Sequence, residues 1–564
     1  MSATFSGTDW CELLASRGSQ TKAWLLIPEE PHRSSASTVI SYQALYASTR
    51  RMAGELLARG LSRGDRVVVV AENNVETCLT FFAVWIAGGV AVPVAPPSLG
   101  RPNRSWVAAL AGVEADCGAR ILVASQSTLG AAVGLSSVLL SLDELCSVSN
   151  EVCDRFENSA ACSSGPGHDV ALLQYTSGTT AHPRAVVLTH SNLFSAVRAI
   201  GTAFNADSSD IGVCWLPMFH DMGLIGSLLT ATYWGMSLVL MRPRTFVMRP
   251  ESWLWAISRF RATCSVAPNS AYEICASSIP EARFAGLELS HWRVAVVGAE
   301  LVHPETIRAF TTKFAKHGFK PQAMFPAYGL AESTVAATLP QCGEVPGIDW
   351  VDSQALARDG LAEPRLESPT ARGIVCVGSA FSGSQVRVCA DNSLAALPDR
   401  QLGEVQLRGP CVMRGYYDDK TGSPLTADGW LRTGDRGYMV GDKLYLAGRD
   451  KHTIKRAGRT LDAATIEHVM ARAPGVRSGG AAAFGVFNAR TKSEELVVLI
   501  EASRDISIDQ REALKREVVR ILGDQMSLAP DVVSIVGPGA IPRTTSGKIR
   551  HSEARTMYLE KSRS

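Results

Sequence analysis

What this sequence lacks narrows it before any motif is read. Its 13 cysteines form no C-x-x-C pair and fall at no metal-cage spacing, so neither a disulfide framework nor a zinc module is expected; scattered thiols of this kind suit a cytoplasmic protein in which they stay reduced and mostly buried. Charge imbalance is also missing. Lys and Arg total 56 against 54 Asp and Glu, a net of +2, which argues against a nucleic-acid footprint spread over the surface. No apolar run is both long and unbroken enough to cross a bilayer. The nearest candidates, Cys78 to Gly100 and Met222 to Met241, are cut by Gly88, Gly89 and three prolines, and by Gly226 and Gly235, so both are expected as core, with no membrane span. Met1 to Gly18 carries Asp9 and Glu12 and has no h-region, so no secretory signal is expected.

A chain of 564 residues exceeds the size of one hydrophobic core, so two or more domains are expected. Tyr42 to Arg59 and Val75 to Ala87 carry apolar residues at helical spacing, while Val67 to Ala71, Val90 to Val94 and Ile121 to Ala124 are short, wholly apolar runs. Helices alternating with all-apolar strands predict an α/β domain whose parallel sheets are covered by helices. Cys214 to Pro217, Arg293 to Val297 and Met324 to Ala327 are expected as further strands, and the tryptophans at 215, 234, 253 and 255 as pocket wall or core. Gly343 to Arg372 loses periodicity and reads as a long loop. Beyond it, Tyr438 to Leu446 predicts a hairpin. Helices near Ala464 to Ala471 and Asp509 to Leu522, with strands at Ala481 to Val486, Leu496 to Glu501 and Asp531 to Val536, predict a small α+β C-terminal domain.

The Walker A pattern is absent as well, yet one stretch offers the chemistry expected of a phosphate-binding loop, with a plain Ser/Thr/Gly hairpin as the other reading of that stretch taken alone. Between the apolar runs Leu172–Tyr175 and Ala185–Leu188 lies Thr176-Ser-Gly-Thr-Thr-Ala-His-Pro-Arg184. Gly178 lets the backbone turn so that N–H groups and the hydroxyls of Thr176, Ser177, Thr179 and Thr180 converge on an anion, and Arg184 adds a fixed positive charge. Four later stretches follow: Trp215 to Gly226, which holds His220; Ala327-Tyr-Gly-Leu-Ala-Glu-Ser-Thr334; Trp430-Leu-Arg-Thr-Gly-Asp435; and Pro542 to Arg550, which presents Lys548 on a loop rich in Thr, Ser and Gly.

Together and in this order, these motifs resemble the adenylate-forming superfamily of acyl-CoA synthetases, peptide-synthetase adenylation domains and firefly luciferase, and are most similar to fatty acyl-AMP ligases. The resemblance implies a large domain over residues 1–447, a hinge at 448–451 (Gly448-Arg-Asp-Lys451) and a small mobile domain over 452–564. It implies ATP as co-substrate, with Thr176, Ser177, Gly178, Thr179, Thr180 and Arg184 on its phosphates. Gly298, Ala299, Glu300, Ala327, Tyr328 and Gly329 would lie around adenine, and Asp435 and Arg449 at the ribose. Glu332, with Thr176, would hold Mg2+. His220 would lie beside the acyl carboxylate, and Lys548 would bridge that carboxylate and the α-phosphate. The implied substrate is a hydrophobic carboxylic acid, fatty or bulky, and the implied acceptor an acyl carrier protein or a separate acyl-transfer enzyme; an acyl-CoA ligase completing both half-reactions is the alternative.

Val351 to Pro364 is similar to the insertion that separates fatty acyl-AMP ligases from acyl-CoA synthetases. Two positions depart from the family pattern. Ala185 stands where the phosphate loop usually has glycine, and Gly458 to Glu467 lacks the Asn and Pro common after the hinge.

Overall fold

The structure is a computed structural model describing residues 5–28, 38–97, 104–132, 134–147, 167–176, 184–368, 370–391, 393–417, 422–456, 459–488, 493–502, 507–526, 528–544 and 547–563. Strands such as Arg66–Val70 and Val90–Val94 are apolar on both faces, and they pair in parallel within two seven-stranded sheets. In one sheet, Met324–Pro326, Val294–Gly298, Cys264–Pro268, Ile211–Cys214, Ser237–Leu240 and Ala23–Ile27 run parallel, and Thr38–Ser41 closes the edge antiparallel. In the other, Val170–Tyr175 begins a parallel series through Val90–Val94, Arg66–Val70, Ile121–Ala124 and Val138–Ser141, while Ala185–Thr189 and Gly415–Tyr416 extend it antiparallel. The expectation of parallel sheets therefore holds for most strands, and the antiparallel pairing is confined to one end of each sheet.

The helix Val75–Ile86 joins the sheets. Every residue in it except Glu76 is buried, as expected of a helix that is apolar all round. Phe82 meets Trp24 of the first sheet edge-on at 6.0 Å, and Trp85 donates to the Ala171 carbonyl of the second at 2.7 Å. Asn73, 6% exposed, makes the polar counterpart of that join. Its Nδ2 donates to the carbonyls of Leu216 and Met241, both at 2.9 Å, and its Oδ1 accepts from Met218 N at 3.1 Å. This side chain explains a departure from expectation: the strand expected at Cys214 to Pro217 lies at Ile211–Cys214. Pro217 has no N–H for a ladder, and the backbone around it bonds to Asn73 instead.

The segment Gly343 to Arg372 is not the unstructured loop that its composition suggested. Strand Ile348–Asp352 pairs antiparallel with Ala371–Val375, and helix Ser353–Asp359 lies between them. Asp352 caps that helix by accepting from the N–H groups of Gln354 and Ala355 at 2.7 Å, Leu356 anchors it, and Gly360 ends it with φ +65°. Prolines and glycines here punctuate short elements. Of the four tryptophans, Trp253 is core, fully buried against Trp215, Tyr272 and Trp292, and Trp215 is buried beside it, whereas Trp234, which donates to the Val197 carbonyl, and Trp255 are half-buried.

Toward the C-terminus, Gln385–Cys389, Gly403–Arg408, Leu431–Val440 and Lys443–Arg449 form an antiparallel sheet. A three-stranded sheet of Val476–Asn488, Ser493–Ala502 and Val532–Val536 then packs with helices Ala463–Ala471, Ile508–Met526 and His551–Arg563 around apolar clusters of its own, which include Ile466, Met470, Val498, Val518 and Leu522. Among the described residues, no helix is long and apolar enough to cross a membrane.

Because Asn73 satisfies three backbone groups where the two sheets meet, Asn73→Ala should cost about 2–3 kcal/mol. Chemical denaturation at unchanged m-value should register it as a fall in midpoint; an unshifted midpoint would show that the join is carried by apolar packing alone.

Candidate nucleotide and acyl site

Strand ends supply most of the site. Val294–Gly298 delivers Gly298, Ala299 and Glu300, and Met324–Pro326 delivers Ala327 to Thr334, the position at which open α/β sheets place ligands. The second segment is tightly folded. Tyr328 N donates to the Thr338 carbonyl at 3.2 Å and Ala337 N to the Tyr328 carbonyl at 2.8 Å, so the chain doubles back over Gly329. A Cβ on Gly329 would lie 1.9 Å from the Val335 carbonyl oxygen. Thr334 and Val335 take φ of +52° and +76°, a conformation that costs a β-branched residue energy and concentrates at functional loops. Glu300 is engaged elsewhere: its carboxylate accepts from Ser270 N and Oγ at 2.9 and 3.2 Å.

Tyr328 is buried, and its hydroxyl donates to Asp435 Oδ2 at 2.7 Å. Asp435, 5% exposed, also pairs with Arg449, its cross-strand partner in the hairpin that leads to 448–451. The Asp435 carboxylate holds the Arg449 guanidinium above its ordinary range, and burial, followed by that same carboxylate, pushes the Tyr328 phenol well up.

Residues 177–183, and with them Ser177, Gly178, Thr179 and Thr180, lie outside the described residues. Their flanks are defined. Thr176 N donates to the Arg184 carbonyl at 3.0 Å, continuing the antiparallel pairing of Val170–Tyr175 with Ala185–Thr189. The Arg184 guanidinium sits 4.0 Å above the Tyr416 ring, and the Tyr416 hydroxyl donates to Glu332 Oε1 at 2.8 Å. Tyr416 thus links the base of the loop to Glu332. Lys451 faces the same region: burial lowers its pKa first, then the charges of Arg184 and Arg449, with Glu332 opposing them.

His220 precedes a single helical turn, Asp221–Gly223, that runs into a π-helical stretch, Leu224–Leu229, a deformation common at functional sites. Gly223 is required there, because a Cβ would lie 2.2 Å from the Pro217 carbonyl oxygen. The His220 imidazole has its Nε2 buried with no hydrogen-bond partner among the described residues. Burial, and after it the Lys548 charge, lowers its pKa to about 4. Burial raises the Asp221 carboxyl, against the opposing pull of Lys548. Lys548 therefore acts electrostatically on this segment, from a turn closed by Thr544 N donating to the Lys548 carbonyl at 2.8 Å and Lys548 N donating to Thr544 Oγ1 at 3.1 Å.

Contacts between residues before and after 448–451 fix this orientation. His303 stacks on His468 with ring centroids 3.6 Å apart and 4° between planes, and Glu305 lies 3.7 Å from His468 Nε2. Arg372 donates both to the Ala447 carbonyl at 2.9 Å and to Thr465 Oγ1 at 2.7 Å. Although His303, Glu305 and His468 are metal-ligating types within 4.8 Å, lone pairs lie in the planes of imidazole rings, and parallel rings do not converge on one ion. Arg372 and Arg472 also lower the His303 pKa, behind burial and His468, so their field repels a cation. We read the cluster as a latch. Tyr416, Arg372, His303 and His468 escaped the sequence reading because each lies outside a motif and gains its meaning only from a distant partner.

The profile of AMP-binding enzymes matches residues 27–417. The chain belongs to the AMP-binding enzyme family. It is 32% identical to a putative acyl-CoA synthetase of Caulobacter vibrioides over 90% of this chain and 88% of that protein. It is 31% identical to the medium-chain-fatty-acid acyl-carrier-protein ligase JamA of Moorena producens over 92% and 90%. A fatty acyl-adenylate ligase structure, from work on the E. coli and L. pneumophila enzymes, superposes with a TM-score of 0.88 at 31% identity and covers 99% of this chain and 98% of that one.

If this AMP-binding enzyme rotates about residues 448–451, the His303–His468 contact should make that motion pH-dependent. Burial, and after it His468, lowers the His303 pKa well below 6.5 in this arrangement, so separating the two rings would let His303 take up a proton more readily. The contact should therefore hold fully above the ordinary imidazole range, about pH 6.5, and weaken as pH falls through it. An inter-domain fluorescence pair should report opening on acidification, and His303→Phe should flatten that part of the profile; an identical profile in the variant would remove the latch from the account.

Proposed function

We propose that this enzyme activates a hydrophobic carboxylic acid with ATP, forming an acyl adenylate and releasing pyrophosphate. The supporting observation is the orientation in which Lys548 acts on His220 and Asp221 while Tyr328, Asp435 and Arg449 form one hydrogen-bonded cluster, with Arg449 at the end of the strand that runs into 448–451. A carboxylate does not acylate a thiol at neutral pH, because the oxygen it must lose is a poor leaving group; AMP is a good one. The carboxylate oxygen attacks the α-phosphorus, the bond to the bridging oxygen of pyrophosphate breaks, and negative charge moves onto phosphate oxygens.

In this reading Lys548 neutralises the carboxylate and α-phosphate as they approach. Neutral His220, its Nε2 without a hydrogen-bond partner among the described residues, orients the acyl carboxylate. Arg184 and the loop 176–184 hold the outer phosphates, and Asp435 with Arg449 holds the ribose. The segments at 298–300 and 327–329 flank adenine, with the Glu300 carboxylate serving Ser270 rather than the base. Glu332 and Thr176 suit a Mg2+ ion in kind, since a carboxylate and a hydroxyl offer the hard oxygens it prefers. When bound, the ion supplies positive charge to the phosphates.

We take 1–447 as the large domain, 448–451 as the hinge and 452–564 as the small domain, in keeping with the separate apolar clusters on either side. The described cysteines are mostly buried and none is bridged to another, which suits a reducing cytoplasm. The acceptor is an acyl carrier protein or a separate transferring enzyme rather than free CoA. The insertion helix Ser353–Asp359 packs against strand Arg459–Asp462, and Arg372 bonds across to Thr465. Rotation about Lys451 for thiol transfer must break these contacts, and a carrier protein can offset that loss with contacts that CoA does not make.

Lys548→Ala should slow adenylate formation at least about 100-fold while ATP binding stays nearly intact; an unchanged single-turnover rate would reject the assignment. With saturating CoA and a hydrophobic acid, the intact enzyme should accumulate adenylate, whereas deletion of 351–364 or Arg372→Ala should raise acyl-CoA formation about tenfold or more. Rapid acyl-CoA formation by the intact enzyme would instead make it an ordinary acyl-CoA ligase.

A further inference from the structure

The stretch Met241-Arg-Pro-Arg-Thr-Phe-Val-Met-Arg-Pro250 has no part in the chemistry above, yet the fold sets it beside the acyl segment. Its helix, Pro243–Met248, begins where strand Ser237–Leu240 ends. Met241 N donates to the Cys214 carbonyl at 2.8 Å, at the end of the strand that leads to His220. The helix has one inward side chain. Phe246 is buried and stacks on Trp215 with centroids 3.8 Å apart and planes 8° apart, which fixes the helix rigidly against the wall of that segment.

Its outer face has an unusual composition. Val247 is 73% exposed and Met248 67% exposed. Around this pair stand Arg242, Arg244 and Arg249, all exposed. Among the described residues, none of these three arginines forms a side-chain ion pair or hydrogen bond, although elsewhere arginines are commonly matched with carboxylates, as in Arg293 with Asp210, Arg400 with Asp349 and Arg432 with Glu404. Two adjacent apolar side chains held out in water, ringed by unpaired guanidinium groups, match the layering of an anionic bilayer. The apolar pair reaches the acyl boundary while the arginines stay at the level of the phosphates.

We propose that Val247 and Met248, with Arg242, Arg244 and Arg249, form a docking tip for anionic membrane surfaces. A protein partner is less well matched, because a stable protein interface needs a broad complementary face, and this tip is a point of two apolar side chains. The helix is already folded and pinned by Phe246, so insertion carries no cost of ordering it. The proposed substrate class gives the contact a use, since hydrophobic acids partition into bilayers; the docking itself is read by binding and does not depend on which acid is activated.

The test mixes the full chain with vesicles of phosphatidylcholine alone or of phosphatidylcholine with phosphatidylglycerol, and follows co-sedimentation at low and high salt. Binding should require the anionic lipid and weaken with salt. It should fall at least about tenfold both in Arg242→Gln/Arg244→Gln/Arg249→Gln and in Val247→Ser/Met248→Ser. Both variants change exposed groups only and should keep the parent's thermal midpoint and its adenylation of a short, soluble acid. Equal binding to neutral and anionic vesicles, parental binding by both variants, or no binding to any vesicle would overturn the proposal. Loss of binding to an acidic carrier protein in the variants, with vesicle binding absent throughout, would reassign the tip to a protein.

Discussion

A carboxylate taken out of water must be repaid with partners, and Asp435 finds two that lie far apart in sequence. Tyr328 comes from a tight loop at the end of a parallel strand, and Arg449 from the last residue of an antiparallel hairpin. The cluster thereby joins the loop proposed to hold the nucleotide to the strand from which the chain passes into its C-terminal part. The pair is worth little as an exposed salt bridge and much as a positional constraint, because its carboxylate is buried and its arginine is set by strand register.

Around that constraint the structure distributes charge asymmetrically. Burial first, and then the charges of Arg184 and Arg449, lowers Lys451, and burial, followed by the charge of Lys548, lowers His220. Such an arrangement favours a polyanion with a carboxylate beside it, which is the charge pattern of ATP and an acid about to react. The His303–His468 stack and the Arg372 bonds hold the C-terminal part where Lys548 contributes to that field. A rigid edge at the other end of the acyl segment, Phe246 against Trp215, supports the exposed tip.

The sequence determined the architecture and the proposed chemistry to the extent that short-range patterns encode them. Apolar strands, helical periodicity and glycine stops identified most elements within a few residues. The motifs named Thr176, Arg184, His220, Tyr328, Glu332, Asp435, Arg449 and Lys548 because their residue types and order are specific in themselves. Composition misread Gly343 to Arg372, where turn residues bound a capped helix and two strands, and it placed a strand across Pro217. Only the tertiary structure decided which groups meet across long separations: Asn73 with the backbone at 216, 218 and 241, Tyr416 between Arg184 and Glu332, and His303 on His468. No local pattern carries that information. A side chain's partner at a distance of a hundred residues or more is selected by packing and by the cost of leaving a buried polar group unsatisfied, and those terms act only once the chain has folded.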